Sequence, residues 1–359
     1  MQLANRSRDR VPASHEGLGP QRHALRLPSM DLNFTPEDLD EARRLNRRLA
    51  ILPRLRMETA LGRVALNAML RVAELYPLIR GSQTNATRTL KKIVALNRPV
   101  KLRIHRPAGE CCGIILDYHG GGWTIGNARM GDDQNAELAV RIGVAVVSVD
   151  YRLALSNPIS ALVDDCEAAA VWTIEHAMRE FGTDRIVVKG SSAGAHLAAA
   201  TLLRLRDRST LAPQIAGTVL FFGLYDFAGT AMVRAAGPET LVLHGPTVRA
   251  TLYELTPGMT EEERRDPAIS PFYADLSCMP PALFLVGTKD MLLEDNERMA
   301  AKWEEASGNS ELLIAPESPH AFNRMGTSVA KKVESFVADW MLEKLAPAGA
   351  HSRSASDED

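Results

Sequence analysis

Gly190-Ser191-Ser192-Ala193-Gly194 stands between the run Arg185-Ile186-Val187-Val188-Lys189 and the run His196-Leu197-Ala198-Ala199-Ala200-Thr201-Leu202-Leu203. The first run reads as an apolar strand and the second as an apolar helix. A serine with glycine two residues to either side, at such a junction, fits a sharp turn that lifts the serine Oγ above a sheet. The turn leaves no room for side chains at the glycine positions, and the following helix N-terminus favours negative charge developing at the serine. The register selects Ser192 rather than Ser191.

Outward from this turn the chain alternates. Strand patterns fall at 93–96, 100–104, 114–118, 144–149, 186–188, 219–222, 283–286 and 312–314, the first two forming an antiparallel hairpin. Helical patterns fall at 134–141, 161–180, 294–306 and 328–344, besides the helix after Ser192. Such alternation predicts an α/β fold with an eight-stranded, mostly parallel sheet covered by helices on both faces. Two helices precede every strand. One opens at Thr35-Pro36-Glu37-Asp38, with Thr35 as N-cap and Pro36 at the first helical position; the other spans Glu58 to Leu75. Residues 228–266 break the alternation with a loosely helical segment, expected to cap the C-terminal edge of the sheet. The expected organisation is a leader over 1–30, N-terminal cap helices over 31–90, the sheet domain over 91–346 and a polar tail over 347–359.

Composition narrows the classes. The 359 residues carry a net charge of −2, with 24% charged and 45% hydrophobic residues, the profile of an ordinary globular chain. No RNP-type motif, zinc spacing or basic stripe points to nucleic acid. Cys111, Cys112, Cys166 and Cys278 show no C-x-x-C spacing, so neither a disulfide framework nor a metal site is expected, and no cofactor is called for. No apolar run is long enough to span a bilayer, and the N-terminus lacks a signal-type apolar region. Cytoplasmic residence without membrane insertion is the expectation. The last strand and helix form a candidate homodimer edge.

The chemistry-bearing residues fall at strand ends. His119-Gly120-Gly121-Gly122-Trp123 follows the strand at 114–118. Consecutive glycines mark backbone that approaches something closely, here an oxyanion needing convergent N–H donors. Gly121, Gly122 and Ala193 are the candidate donors, with His119 holding the loop. Ser192 needs a base, and His320 follows the last strand; His105, His176, His196, His244 and His351 are worse placed. Asp290 follows the penultimate strand and would fix the tautomer of His320, with Asp295 and Glu294 as runners-up whose default role is helix capping. Trp123, Leu224 and Tyr225, with Phe227, are candidates for the wall of a substrate pocket. The chain order Ser192, Asp290, His320 is that of α/β-hydrolases.

His119–Trp123, Gly190–Gly194, Ser270-Pro271, Pro280-Pro281-Ala282, Val286-Gly287-Thr288, Asp290 and His320-Ala321-Phe322 together resemble the hormone-sensitive lipase family of α/β-hydrolases, its bacterial carboxylesterases above all. The resemblance covers roughly residues 90–345. It implies a metal-independent serine esterase acting on small short-chain acyl esters beneath a helical cap. Three departures stand out: Ser191 where the family has an acid, Leu155-Ser156 where it has Pro-Glu, and Ala321 where it has glycine. Amide or formamide hydrolysis by the same residues is the alternative within catalysis. A ligand-binding protein on a hydrolase scaffold is the alternative outside it.

Overall fold

Residues 32–52, 59, 61–68, 84–208 and 212–347 are described by a computed structural model. The expected leader over 1–30, most of the tail and part of the second N-terminal helix lie outside these residues. Strands β1 (Thr87–Ala95) and β2 (Arg98–Arg106) form a hairpin, followed by β3 (Gly113–Tyr118), β4 (Val144–Asp150), β5 (Ile186–Ser191), β6 (Ile215–Phe221), β7 (Ala282–Gly287) and β8 (Ser310–Ala315). They build one eight-stranded sheet in the order β1-β2-β4-β3-β5-β6-β7-β8. β2 is antiparallel to both β1 and β4, and the remaining pairs, β4-β3-β5-β6-β7-β8, are parallel. β3 and β7 are buried along their whole length, which is why they read as continuous apolar runs. β1 begins at Thr87, six residues before its apolar pattern does, within the segment expected to be cap. As an edge strand it exposes Leu90, and Thr87 to Lys92 carry no apolar run. Its turn is Leu96-Asn97, both with positive φ, the two-residue geometry that matches strand twist.

Helices α4 (Ile159–Phe181), α5 (Ala193–Asp207) and α9 (Leu293–Ser307) bury Leu162, Leu197 and Trp303 in one core. α3 (Asp132–Ile142) and α10 (Ser328–Leu345) bury Ala139, Val333 and Met341 with the sheet's other set of side chains. Each fully buried aliphatic side chain contributes about 1.5–3 kcal/mol. α1 (Pro36–Ile51) starts at Thr35, whose hydroxyl and the Asp38 carboxylate cap each other's backbone N–H. Expected as cap, α1 instead lies along α10. Ala42 enters that core, Lys332 pairs with Asp38, and the Glu41 carboxylate accepts the Ser328 N–H at 2.7 Å. α2, over 61–68, is the N-terminal helix that reaches the site, and Arg63 ties it to Glu254 at 2.7 Å. The segment over 228–266 folds as α6 (Ala231–Ala235), α7 (Gly245–Leu255) and α8 (Glu261–Arg264). Among the described residues no helix is long and apolar enough to cross a membrane.

The order β4-β3-β5 makes the chain leave β3 to one side and return past it to β5. Loops leaving the C-terminal ends of β3 and β5 therefore diverge, and the crevice between them is where such sheets place ligands. Tyr118 pairs with Gly190 across these strands, which brings the glycine loop beside Ser192.

Candidate active site

Ser192 sits between β5 and α5 with φ 56 and ψ −120, a region that costs roughly 1–3 kcal/mol for a side-chain-bearing residue. Three backbone bonds hold it there: its N–H donates to Phe221 O at 2.9 Å, and its carbonyl accepts from Ala195 and His196 at 2.9 and 3.3 Å. The flanking glycines leave no room for a side chain. A Cβ on Gly190 would lie 2.3 Å from Gly194 O, and one on Gly194 would lie 2.1 Å from Tyr118 O.

His320 Nε2 lies 3.0 Å from Ser192 Oγ, and His320 Nδ1 lies 2.8 Å from Asp290 Oδ2. Asp290 Oδ1 accepts the Leu292 N–H at 3.0 Å, so both carboxylate oxygens are engaged while the residue is only 1% exposed. The His320 ring rests on Phe222, with centroids 4.7 Å apart. Ala321 has φ 57, a left-handed conformation that costs alanine roughly 1–2 kcal/mol and explains why glycine suits this position. The three side chains come from the ends of β5, β7 and β8 and form one hydrogen-bonded line.

The glycine loop curls over Ser192. Gly121 and Gly122 have φ 126 and 54, and Gly121 O accepts the N–H groups of Thr124 and Ile125, both at 3.1 Å. His119 stacks on Tyr151 at 4.1 Å between centroids, and its Nδ1 meets Gly120 O at 2.8 Å. Tyr151 donates its hydroxyl to His119 O at 2.6 Å. Burial holds the His119 pKa below its ordinary value, so the ring is a neutral brace for the loop. Ala193 opens α5, and its N–H has no acceptor within the helix.

A cavity of about 270 Å³ runs past Ser192, walled by the glycine loop, Leu66, Phe222, Val242, His244 and Val248 and also by Asp117, Asn135 and Lys189. Trp123, Leu224 and Tyr225 are not on this wall. They are 4%, 3% and 0% exposed, and Trp123 is turned away to Phe227, with centroids 5.0 Å apart, and to His196, whose Nδ1 accepts its indole N–H at 3.2 Å. Apolar residues at strand ends face either a cavity or the core, and here the core takes them. Leu66 and Val248, on α2 and α7, carry no sequence signal beyond apolar helical spacing. His196 is fully buried between Trp123 and Ile269 O, and burial lowers its pKa to about 4, so it stays neutral.

Asp295, the runner-up acid, lies apart from His320. It is buried; Oδ1 accepts the N–H groups of Tyr225 and Asp226 at 3.0 and 3.2 Å, and Oδ2 the Thr230 hydroxyl at 3.0 Å. It braces the loop after β6 rather than capping its own helix. Beneath Ser191 the strands carry an ion pair. Lys189 Nζ lies 3.1 Å from Asp117 Oδ1 and 2.9 Å from Asn135 Oδ1, and Asp117 Oδ2 accepts from Asn135 and Ser148 at 2.9 and 2.8 Å. Burial works to raise the Asp117 pKa, but Lys189 and these hydrogen bonds hold it below its ordinary value.

Comparison with known proteins gives the family of the chain. Residues 115–324 match the family described as alpha/beta hydrolase fold, and the chain belongs to that family, in its hormone-sensitive-lipase-like group. Its homologues are carboxylic ester hydrolases. The carboxylic ester hydrolase LipN of Mycobacterium tuberculosis is 32% identical over 235 residues, covering 62% of this chain and 61% of LipN. The carboxylesterase NlhH of the same organism is 31% identical over 232 residues, covering 62% of this chain and 70% of NlhH. Among solved structures, a bacterial heroin esterase superposes with a TM-score of 0.77 at 26% identity, covering 86% of this chain and 98% of that one. Esterase LipW from Mycobacterium marinum superposes with a TM-score of 0.76 at 26% identity, covering 87% and 99%.

Proposed function

We propose that this chain is a serine carboxylesterase that hydrolyses short-chain acyl esters through an acyl-serine intermediate. The observation that carries the proposal is the line Ser192 Oγ, His320, Asp290, with links of 3.0 and 2.8 Å, at the C-terminal edge of the sheet. Ser192 Oγ attacks the ester carbonyl carbon as His320 Nε2 takes its proton, and the carbonyl π electrons move onto oxygen. Asp290 fixes the tautomer and stabilises the imidazolium. The N–H groups of Gly121, Gly122 and Ala193 receive the oxyanion, each such donor being worth about 3–4 kcal/mol. Collapse expels the alkoxide, which takes the proton from His320; water, deprotonated by the same base, then releases the acid and restores Ser192. Leu66, Phe222, Val242 and Val248 give the cavity beside Ser192 an apolar wall that supports an acyl group.

The test combines labelling with kinetics. A fluorophosphonate probe should modify the wild-type chain and leave Ser192→Ala unmodified, and p-nitrophenyl esters from acetate to octanoate should show kcat/KM highest at the short end. Normal ester hydrolysis by purified Ser192→Ala would refute the assignment. Matched anilides replacing esters as the faster substrates would move the reading to an amidase.

A further inference from the structure

A second cavity, of about 180 Å³, lies within the cap segment, away from Ser192. A water occupies about 30 Å³ of the liquid, so there is space for more than one. Its lining includes three arginines, Arg234, Arg249 and Arg264, together with Phe227, Val233 and Leu252. Arg264 is the unusual one. It is 7% exposed, its Nε donates to Thr256 Oγ1 at 2.8 Å, and its guanidinium lies 3.9 Å from the Tyr253 ring centroid. No carboxylate pairs with it among the described residues. Arg249 is likewise without an acid there: its Nη1 donates to Ala236 O at 2.6 Å and Val233 O at 3.2 Å. Arg234 donates to Gly229 O at 2.7 Å and shares Glu261, at 3.3 Å, with Arg265. One shared acid thus faces three cations.

A buried, uncompensated guanidinium is costly, and proteins usually pair it. Carbonyl oxygens pin Arg234 and Arg249 in place, and aromatic stacking with a threonine pins Arg264. Each keeps further N–H donors in the planar fork that suits an oxyanion. Phe227, Val233 and Leu252 supply the apolar part of the same lining. A lining that combines cationic donors with hydrocarbon suits an amphiphilic anion.

We propose that this cap cavity binds a short aliphatic carboxylate, its head on Arg249 and Arg264 and its tail on Phe227, Val233 and Leu252. That this carboxylate is the acid released by the chain's own reaction rests on the esterase reading; the binding itself does not. An occupant there would rest on Phe227, whose ring lies 5.0 Å from Trp123, the residue after Gly122.

The experiment is calorimetric titration of the full chain, its Ser192 capped by a fluorophosphonate to close the larger cavity, with sodium butyrate and with sodium phosphate at constant ionic strength. Butyrate should bind one site, at least tenfold more tightly than phosphate. Arg249→Met and Arg264→Met should each weaken it tenfold or more, while Arg265→Met should leave it unchanged. Circular dichroism shows whether each variant folds; if Arg264→Met does not, the half-buried Arg249→Met decides. No butyrate binding to folded chain, equal affinity in all variants, or tighter phosphate binding would overturn the proposal. Failure of the fluorophosphonate to react would count against the esterase reading alone, and the arginine variants would still decide the cavity on untreated protein.

Discussion

Replacing Gly190 by alanine tests the packing of the turn. The added Cβ would stand 2.3 Å from Gly194 O, 2.6 Å from Gly194 C and 2.7 Å from Ala195 Cα, all backbone atoms that no rotamer change can move. A relaxed contact needs about 3.5 Å, so the start of α5 must withdraw by roughly 1 Å. That displacement carries the Ala193 N–H with it and shifts Ser192 Oγ from its 3.0 Å contact with His320. A misplacement of this size costs about 10²-fold in rate, and overpacking of this kind destabilises by about 1–3 kcal/mol. We expect Gly190→Ala to fold with a lowered melting temperature and to lose about two orders of magnitude in kcat on p-nitrophenyl butyrate, with KM little changed. The assay is steady-state kinetics beside a thermal melt. A folded Gly190→Ala with kcat within threefold of wild type would refute the claim that the turn's close packing positions the nucleophile.

Asp290→Asn should lower kcat by about 10⁴-fold, because the histidine tautomer is no longer fixed, whereas Asp295→Asn should lose far less; the reverse order on the same esters would exchange their roles. Burial pushes the Asp295 pKa from 3.8 up to about 7, against its hydrogen bonds to Tyr225, Thr230 and Asp226. Between these values the folded chain keeps a proton that the unfolded chain has released, so stability falls as pH rises from 4 to 7, by a total of roughly 4 kcal/mol. Asp295→Asn should flatten that slope in urea titrations run across the window. Lys189→Met leaves the buried Asp117 carboxylate without its cation and should cost about 3–5 kcal/mol; Asp117→Leu with Lys189→Met should recover most of the loss in the same denaturation assay.

Much of this architecture is legible from the chain because buried parallel strands write themselves as apolar runs. The turn at Ser192, the glycine loop after β3, and Asp290 and His320 after β7 and β8 each occupy a strand end, which is a position that a one-dimensional pattern can locate. Side-chain direction is another matter. Trp123, Leu224 and Tyr225 also follow strands, yet their rings and methyls turn into the core, a choice fixed by backbone angles such as the φ of 61 at Trp123. Edge strand β1 was legible only at its end, since an exposed strand has no need of an apolar run. The Asp117–Lys189 pair did leave a trace: one acid and one base, each alone in an apolar strand, at positions that the parallel register sets side by side. The arginine-lined cavity left none, because Arg234, Arg249 and Arg264 lie on three short helices whose mutual placement no periodicity encodes.

The distance along the chain between Ser192 and His320, 128 residues, also has a kinetic meaning. β6, α6 to α8, β7 and β8 all lie between them, so the pair forms only after that long loop has closed and the far edge of the sheet has docked. Contacts of such sequence separation are slow to form, since the entropy of closure is lost before any interaction repays it. During refolding, helix content and burial of β3 to β5 should return first. Reactivity at Ser192 should return with the slowest structural phase, making it a late reporter of the native state.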